Sequence, residues 1–101
     1  MPKRRILITK SFEKGLKNWQ EYKIENKEDL KHYFVKIRWI YQEIIRISRL
    51  PGYSHKKVSY GRSKNLQYFI YQQHVVFFRL TSTNMKLLYF VAAKRVKNKY
   101  I

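Results

Sequence analysis

The sequence of 101 residues has no cysteine, only three glycines and only two prolines. Without cysteine the chain has no disulfide or thiolate metal site, and nothing suggests an oxidising compartment. Its apolar runs, such as VVFF and LLYFVAA, are far shorter than the ~18 residues that a membrane span needs. The first ten residues, MPKRRILITK, lack the apolar stretch of a signal peptide. We therefore expect a cytoplasmic protein that makes no use of a membrane.

Negative charge is also scarce, because 23 Lys and Arg face only six acidic residues and the net charge is +17. Residues 44–101 contain 12 Lys or Arg and no carboxylate. The six acidic residues are Glu13, Glu21, Glu25, Glu28, Asp29 and Glu43. Such a field attracts polyanions and accelerates encounters with them. The charge alone does not distinguish a nucleic acid from an acidic protein partner.

These absences narrow the chemistry. Two-metal nucleases and paired-carboxylate hydrolases need clustered acids, and a serine triad needs an acid beside its histidine. The three histidines are isolated in sequence, and three scattered glycines make no phosphate loop. We expect neither a metal nor a cofactor. Metal-free cleavage of RNA by basic residues remains possible. Its candidate residues are His55, Lys56, Lys57, Arg62, Lys64, His74, Arg79, Arg95 and Tyr100.

The hydrophobic pattern predicts one short strand, two helices and three further strands. The first strand covers residues 4–9, and the first helix begins at Phe12 with Ser11 as its cap. The second helix covers residues 27–49 and ends before Pro51-Gly52. Residues 51–65 read as a loop. The remaining strands cover 66–71, 74–80 and 86–93, and their short connections predict antiparallel pairing.

This order, β-α-α-β-β-β, predicts a single α+β domain over residues 1–101, with both helices on one face of a mainly antiparallel sheet. The predicted helical side of the core is Phe12, Leu16, Trp19, Tyr33, Phe34, Ile37, Tyr41 and Ile44. Its predicted sheet side is Val76, Phe78, Leu88 and Phe90.

The chain resembles the RelE/ParE superfamily of bacterial toxins, which are the toxin halves of type II toxin–antitoxin modules. The resemblance is carried by ITKSFEKGLKNW, by a long helix ending in ISRLPG, by GR, and by LQYF with HVVFFRLTSTNMKLLYFVAAKRV. It spans nearly the whole chain. It implies the same β-α-α-β-β-β fold, growth inhibition, and a cognate antitoxin.

The two branches of the superfamily differ in target. RelE-like members cleave mRNA on the ribosome, and an arginine typically precedes the aliphatic-aromatic run of their third strand. Val75 occupies that position here, and His74 to Arg79 is closer to the ParE-like pattern. ParE-like members inhibit DNA gyrase without catalysis. Lys94-Arg95, by contrast, is similar to the nuclease branch.

Three hypotheses follow: a ParE-like gyrase inhibitor, which is the leading one and not an enzyme; a RelE-like mRNA endonuclease; and a basic nucleic-acid-binding module unrelated to toxins. A nuclease would use Lys56, Arg62, Arg95 and Tyr100 as its catalytic set. The residues expected to bind the target are Lys57, Arg62, Lys64, His74, Arg79, Lys94 and Arg95. An acidic antitoxin is expected to form a hetero-oligomer with the toxin, across the sheet and the uncovered side of the long helix near Trp39 and Ile40.

Overall fold

A computed structural model describes residues 4–25, 30–52 and 57–96. The helices are α1 (Lys10–Glu25) and α2 (Leu30–Ser48). The strands are β1 (Arg5–Ile8), β2 (Val58–Tyr60), β3 (Ser63–Tyr71), β4 (His74–Leu80) and β5 (Asn84–Ala92), and a 3-10 turn, Ala93–Arg95, follows β5. The α+β class is confirmed, and each predicted helix and strand is present, with β3 beginning three residues earlier than predicted. The short strand β2 lies within the stretch that was predicted to be a loop.

The strands form one sheet of five in the order β1-β5-β4-β3-β2. Strands β2 to β5 form successive antiparallel pairs, and β1 lies parallel to β5. A tight turn at Gln72-Gln73 joins β3 to β4, with a positive φ of 54° at Gln72. The sheet is therefore mainly antiparallel, as the short connections predicted.

Helix α1 begins two residues earlier than predicted, because Thr9 rather than Ser11 is its cap. The backbone N–H of Phe12 donates to Thr9 Oγ1 at 3.3 Å, which satisfies one of the free donors of the first turn. Thr9 Oγ1 in turn donates to the carbonyl oxygen of Leu87 at 2.9 Å. The cap residue is therefore fixed by β5 as well as by the helix.

Both helices pack on one face of the sheet, which we call the inner face. The core between them is made of Phe12, Trp19, Tyr33, Ile40, Ile44, Ile47, Phe69, Val76, Phe78, Met85, Leu87 and Phe90. Leu16, Ile37 and Tyr41 pack against it and are partly buried. This confirms most of the predicted core. Neither helix of the described chain is long and apolar enough to span a membrane.

Two predicted core residues are wrong. The side chain of Phe34 is 59% exposed, because it lies on the side of α2 that faces away from the sheet. Leu88 packs on the opposite face of the sheet from the helices. The cause is a β-bulge: Phe77 pairs with Tyr89 and Phe78 pairs with Leu87, which leaves Leu88 as an extra residue and reverses the alternation of β5.

Candidate functional site

The second face of the sheet, which we call the outer face, carries the candidate site. Leu66, Val75, Phe77 and Val96 are buried there in a cluster separate from the helical core. Alternate residues of β4 face opposite sides, so Val75, Phe77 and Arg79 share the outer face while Val76, Phe78 and Leu80 face the helices. Of these three outer-face residues of β4, Val75 and Phe77 are buried and Arg79 is partly exposed.

Tyrosines surround the buried centre of the outer face. The ring of Tyr60 stacks on Phe77 with centroids 4.6 Å apart and an interplanar angle of 14°. Tyr89 meets Tyr60 edge to face at 5.1 Å, and its hydroxyl lies 3.0 Å from Ser63 Oγ. Tyr68 packs beside them and is partly buried. The centre of this face is therefore apolar and aromatic, with Val75 only 1% exposed within it.

Cations gather at one end of the sheet, where β1, β3 and β5 begin and β4 ends. Arg79 and Lys86 are direct cross-strand partners, and Lys86 is also the register partner of Leu7 on β1. The guanidinium of Arg79 donates through Nη2 to the carbonyl oxygen of Lys64 at 2.8 Å. Arg62 lies in the exposed turn between β2 and β3. We call Arg5, Arg62, Lys64, Arg79 and Lys86 the basic end.

The described carboxylates lie on the helices, on the other side of the sheet. Glu43 on α2 forms an ion pair with Arg46, three residues further along the same helix. Burial raises the pKa of the Tyr41 hydroxyl, and the nearby Glu13 carboxylate on α1 raises it further. Burial likewise raises the pKa of Tyr33, with a further contribution from Tyr41. The described carboxylates therefore lie on the helical side, and none of the five strands contains an acidic residue.

The structure brings some of the predicted target-binding residues together and separates others. Arg62, Lys64 and Arg79 belong to the basic end, and Lys57 is exposed just before β2. Lys94 is exposed in the 3-10 turn, beyond the opposite end of β5. For Arg95 only the backbone, in the same turn, is described. Lys56 and Tyr100, of the predicted catalytic set, lie outside the described residues, as does His55.

His74 lies on the inner face, away from the basic end. Its ring stacks on Phe90 with centroids 4.9 Å apart and an interplanar angle of 13°, and it lies 4.4 Å from the ring of Trp19. A histidine held between two aromatic rings at the entry of β4 closes the end of the helical core. It does not share a surface with Arg79.

The two residues predicted to bind the antitoxin, Trp39 and Ile40, differ in exposure. Trp39 is 54% exposed on α2, as that prediction requires. Ile40 is 1% exposed and belongs to the helical core, so its assignment to an uncovered surface is wrong. Successive residues of a helix point about 100° apart, and this rotation carries Ile40 toward the sheet.

Sequence reasoning missed Arg5 and Lys86. Arg5 is the second residue of the first predicted strand, and Lys86 is the first residue of the last one. The signal was long-range: only the parallel pairing of β1 with β5 and the register of β4 with β5 place them beside Arg79. In the described part of the chain, no group of three or more His, Cys, Asp or Glu side chains could hold a metal ion.

Comparison with known proteins adds no support to the resemblance in sequence. No protein-family model, no curated protein and no solved structure matches the chain.

Proposed function

We propose that the protein is the toxin of a bacterial type II toxin–antitoxin module, that it inhibits DNA gyrase in the ParE-like manner, and that an acidic antitoxin neutralises it in the cytoplasm. The proposal starts from the resemblance in sequence. The α+β architecture, with two helices on one face of a mainly antiparallel sheet, is compatible with that family.

The observation that favours binding over catalysis is the environment of Val75. The nuclease branch carries an arginine at this position of its strand, where a cation can neutralise a phosphate as charge develops. Val75 is instead 1% exposed and is packed with Leu66 and Phe77. The partly buried Tyr60, Tyr68 and Tyr89 around this buried centre favour a surface that docks on a protein, since aromatic residues are enriched in such interfaces.

A second candidate function, the RelE-like mRNA endonuclease, is favoured by the basic end. Arg62, Lys64, Arg79 and Lys86 collect positive charge at an end of the sheet where no described carboxylate lies, which suits a phosphate backbone. In this candidate Arg95 would supply the cation that Val75 does not, together with Lys56, Arg62 and Tyr100. The third hypothesis, a basic nucleic-acid-binding module unrelated to toxins, would use the same basic end without any toxicity.

Inducible expression in bacterial cells, with DNA synthesis and translation followed separately, tests these candidates. The leading proposal predicts early arrest of DNA synthesis, and the purified protein should inhibit supercoiling by gyrase in vitro. It also predicts no cleavage of mRNA on ribosomes. Early arrest of translation would favour the nuclease, and normal growth would favour the binding module.

A ribosome-dependent cleavage assay with wild type and Arg95→Ala decides between the two toxins. Losing one donor to a developing charge typically costs on the order of 10²–10³ in rate. Robust cleavage by wild type that Arg95→Ala abolishes would overturn the gyrase proposal. Lys17→Ala, which removes a charge from an exposed site on α1, is the matched control.

A further inference from the structure

Two like charges face each other at the basic end. Arg79 on β4 and Lys86 on β5 are direct cross-strand partners. Residues in that relation have Cβ atoms about 4.5–5.5 Å apart, and like charges placed so destabilise the sheet. Both side chains are on the outer face, because their neighbours Phe78, Met85 and Leu87 are buried against the helices.

A third cation adjoins this pair. Lys86 is in register with Leu7 of β1, and Arg5 lies two residues before Leu7 on the same strand. Residues two apart on a strand point to the same side, so Arg5 shares the outer face with Leu7. Arg5 and Lys86 are both exposed, whereas Arg79 is partly covered. Three cations from three adjacent strands therefore lie on neighbouring rows of one surface.

No acidic side chain of the described residues shares this face. Glu13 and Glu21 are on α1, across the sheet, and Glu43 is engaged by Arg46 on α2. Arg79 is oriented by the carbonyl oxygen of Lys64, which accepts a hydrogen bond but carries no net charge. The repulsion between Arg79 and Lys86 thus has no partner within the described fold that would neutralise it.

We propose that Arg79, Lys86 and Arg5 form a binding site for a phosphate group. Guanidinium groups present paired N–H donors that match phosphate oxygens, and a lysine ammonium adds a compact positive charge. An oxyanion between these side chains would convert their mutual repulsion into attraction for the ligand. The phosphate could belong to free polyphosphate or to the backbone of a single-stranded nucleic acid. This site does not depend on the toxin function proposed above.

The experiment follows thermal unfolding of the purified 101-residue chain with inorganic tripolyphosphate, against sodium chloride of equal ionic strength. A ligand that binds only the folded state raises the melting temperature as its concentration increases. We expect such a rise for wild type, and an affinity about tenfold weaker in Arg79→Gln and in Lys86→Gln. Lys17→Gln removes the same charge from α1 and should bind as wild type does. No rise in wild type, or an equal loss in all three variants, would overturn the site.

A second arm identifies the source of the phosphate with a short oligothymidylate labelled for fluorescence anisotropy. For a nucleic-acid backbone, Arg79→Gln and Lys86→Gln should each weaken binding and make the log–log salt slope shallower by about 0.7. If the two substitutions weaken tripolyphosphate binding alone, the ligand is a free phosphate compound. If the two substitutions change the affinity for neither ligand, the proposal is wrong.

A third readout separates an anion site from a structural role of Lys86. Without any added phosphate and at low salt, Lys86→Gln removes the repulsion with Arg79 and should melt at a higher temperature than wild type. Lys17 lies four residues from both Glu13 and Glu21, so Lys17→Gln should melt at the same or a lower temperature. A lower melting temperature for Lys86→Gln would contradict the repulsion on which the site is based.

Discussion

At the scale of single residues, Gly15 is the position where helix propensity and tertiary packing disagree. A glycine inside a helix costs roughly 1 kcal/mol relative to alanine, so the sequence predicts a weakened α1. In the fold, a Cβ added at Gly15 would lie 2.3 Å from the carbonyl oxygen of Phe90 on β5. The obstacle is backbone of the central sheet, which cannot turn aside as a flexible side chain can. The glycine is what allows α1 to approach β5 so closely.

Replacing Gly15 by alanine should therefore destabilise the protein even though it improves the helix. We expect a net loss of about 1–3 kcal/mol in the free energy of unfolding, as is usual when a packed interface is overfilled. Urea denaturation measures it. Gly52→Ala is the matched control, because nothing lies within 4 Å of a Cβ added there. A gain in stability for Gly15→Ala would mean that α1 is farther from β5 than we describe.

At the scale of elements, α2 has one side in the core and one side that no described element covers. Ile44 is fully buried between the helices and the sheet. Phe34 is 59% exposed, and the centroid of its ring lies 5.3 Å from that of Tyr33. Both residues are apolar, and the sequence alone predicted both to be in the core. Val35, Trp39 and Ile45 are exposed as well, so the uncovered surface extends about 140° around the helix, from Phe34 to Trp39.

The two alanine substitutions should consequently differ. Ile44→Ala removes buried carbon and leaves a cavity, so we expect a loss of about 2–5 kcal/mol in the free energy of unfolding. Phe34→Ala mainly removes surface already in contact with water, so its cost should stay below about 1 kcal/mol. Paired urea titrations of the two variants measure the difference. Equal costs would show that α2 is rotated about its axis relative to this structure.

The side chain of Arg4 makes hydrogen bonds to both the end of α2 and the turn between β4 and β5. The guanidinium of Arg4 donates to the carbonyl oxygens of Ser48, Leu50 and Pro51, and also to that of Thr81 between β4 and β5. Ser48 is the last residue of α2, and the last carbonyls of a helix have no partner within it and carry partial negative charge, which a cation satisfies. Arg4 thus joins the end of α2 to the turn before β5.

Lysine in place of Arg4 should not make the same contacts. The planar guanidinium of arginine donates to four separate carbonyl oxygens, and a single ammonium group cannot reach all of them. We expect Arg4→Lys and Arg4→Ala each to lose about 1–2 kcal/mol, with faster hydrogen exchange in the last turn of α2. Arg5→Ala, one residue further along, should change stability by less than about 0.5 kcal/mol. Similar exchange rates in the Arg4 and Arg5 variants would contradict the role of Arg4.

Local pattern predicted the elements well, and it failed where non-local contacts decide. The amphipathic helices and alternating strands were visible because their periods are set by backbone geometry. The bulge at Leu88 was not visible, because it depends on how β5 pairs with β4. Strand β2 was hidden because three residues between turn formers carry too short a pattern. For the site, Arg62, Lys64 and Arg79 were found from charge alone, but Arg5 and Lys86 needed the order of the strands.

At the scale of the whole molecule, charge is divided between two sides. The described acids lie on α1 and α2, and the charged side chains of the strands are all Lys or Arg. The net charge of +17 on this chain would attract the acidic antitoxin proposed above. Attraction over this range accelerates encounter, whereas the residence time depends on buried contacts. The two rates should therefore respond to different changes.

For the complex with an acidic protein encoded by a neighbouring reading frame, we expect the association rate to fall steeply with added salt. Trp39→Ala should leave that rate nearly unchanged and should raise the dissociation rate by about thirtyfold, which corresponds to a loss of about 2 kcal/mol at an aromatic anchor. Phe34→Ala is the matched control, because that exposed aromatic points about 140° away from Trp39 around α2. Ile40→Ala would be misleading, since Ile40 is buried and its loss would act through the fold.

Stopped-flow mixing measures both the association rate and the dissociation rate. An association rate independent of salt would remove the electrostatic argument, and failure of any acidic neighbour product to co-purify would remove the partner.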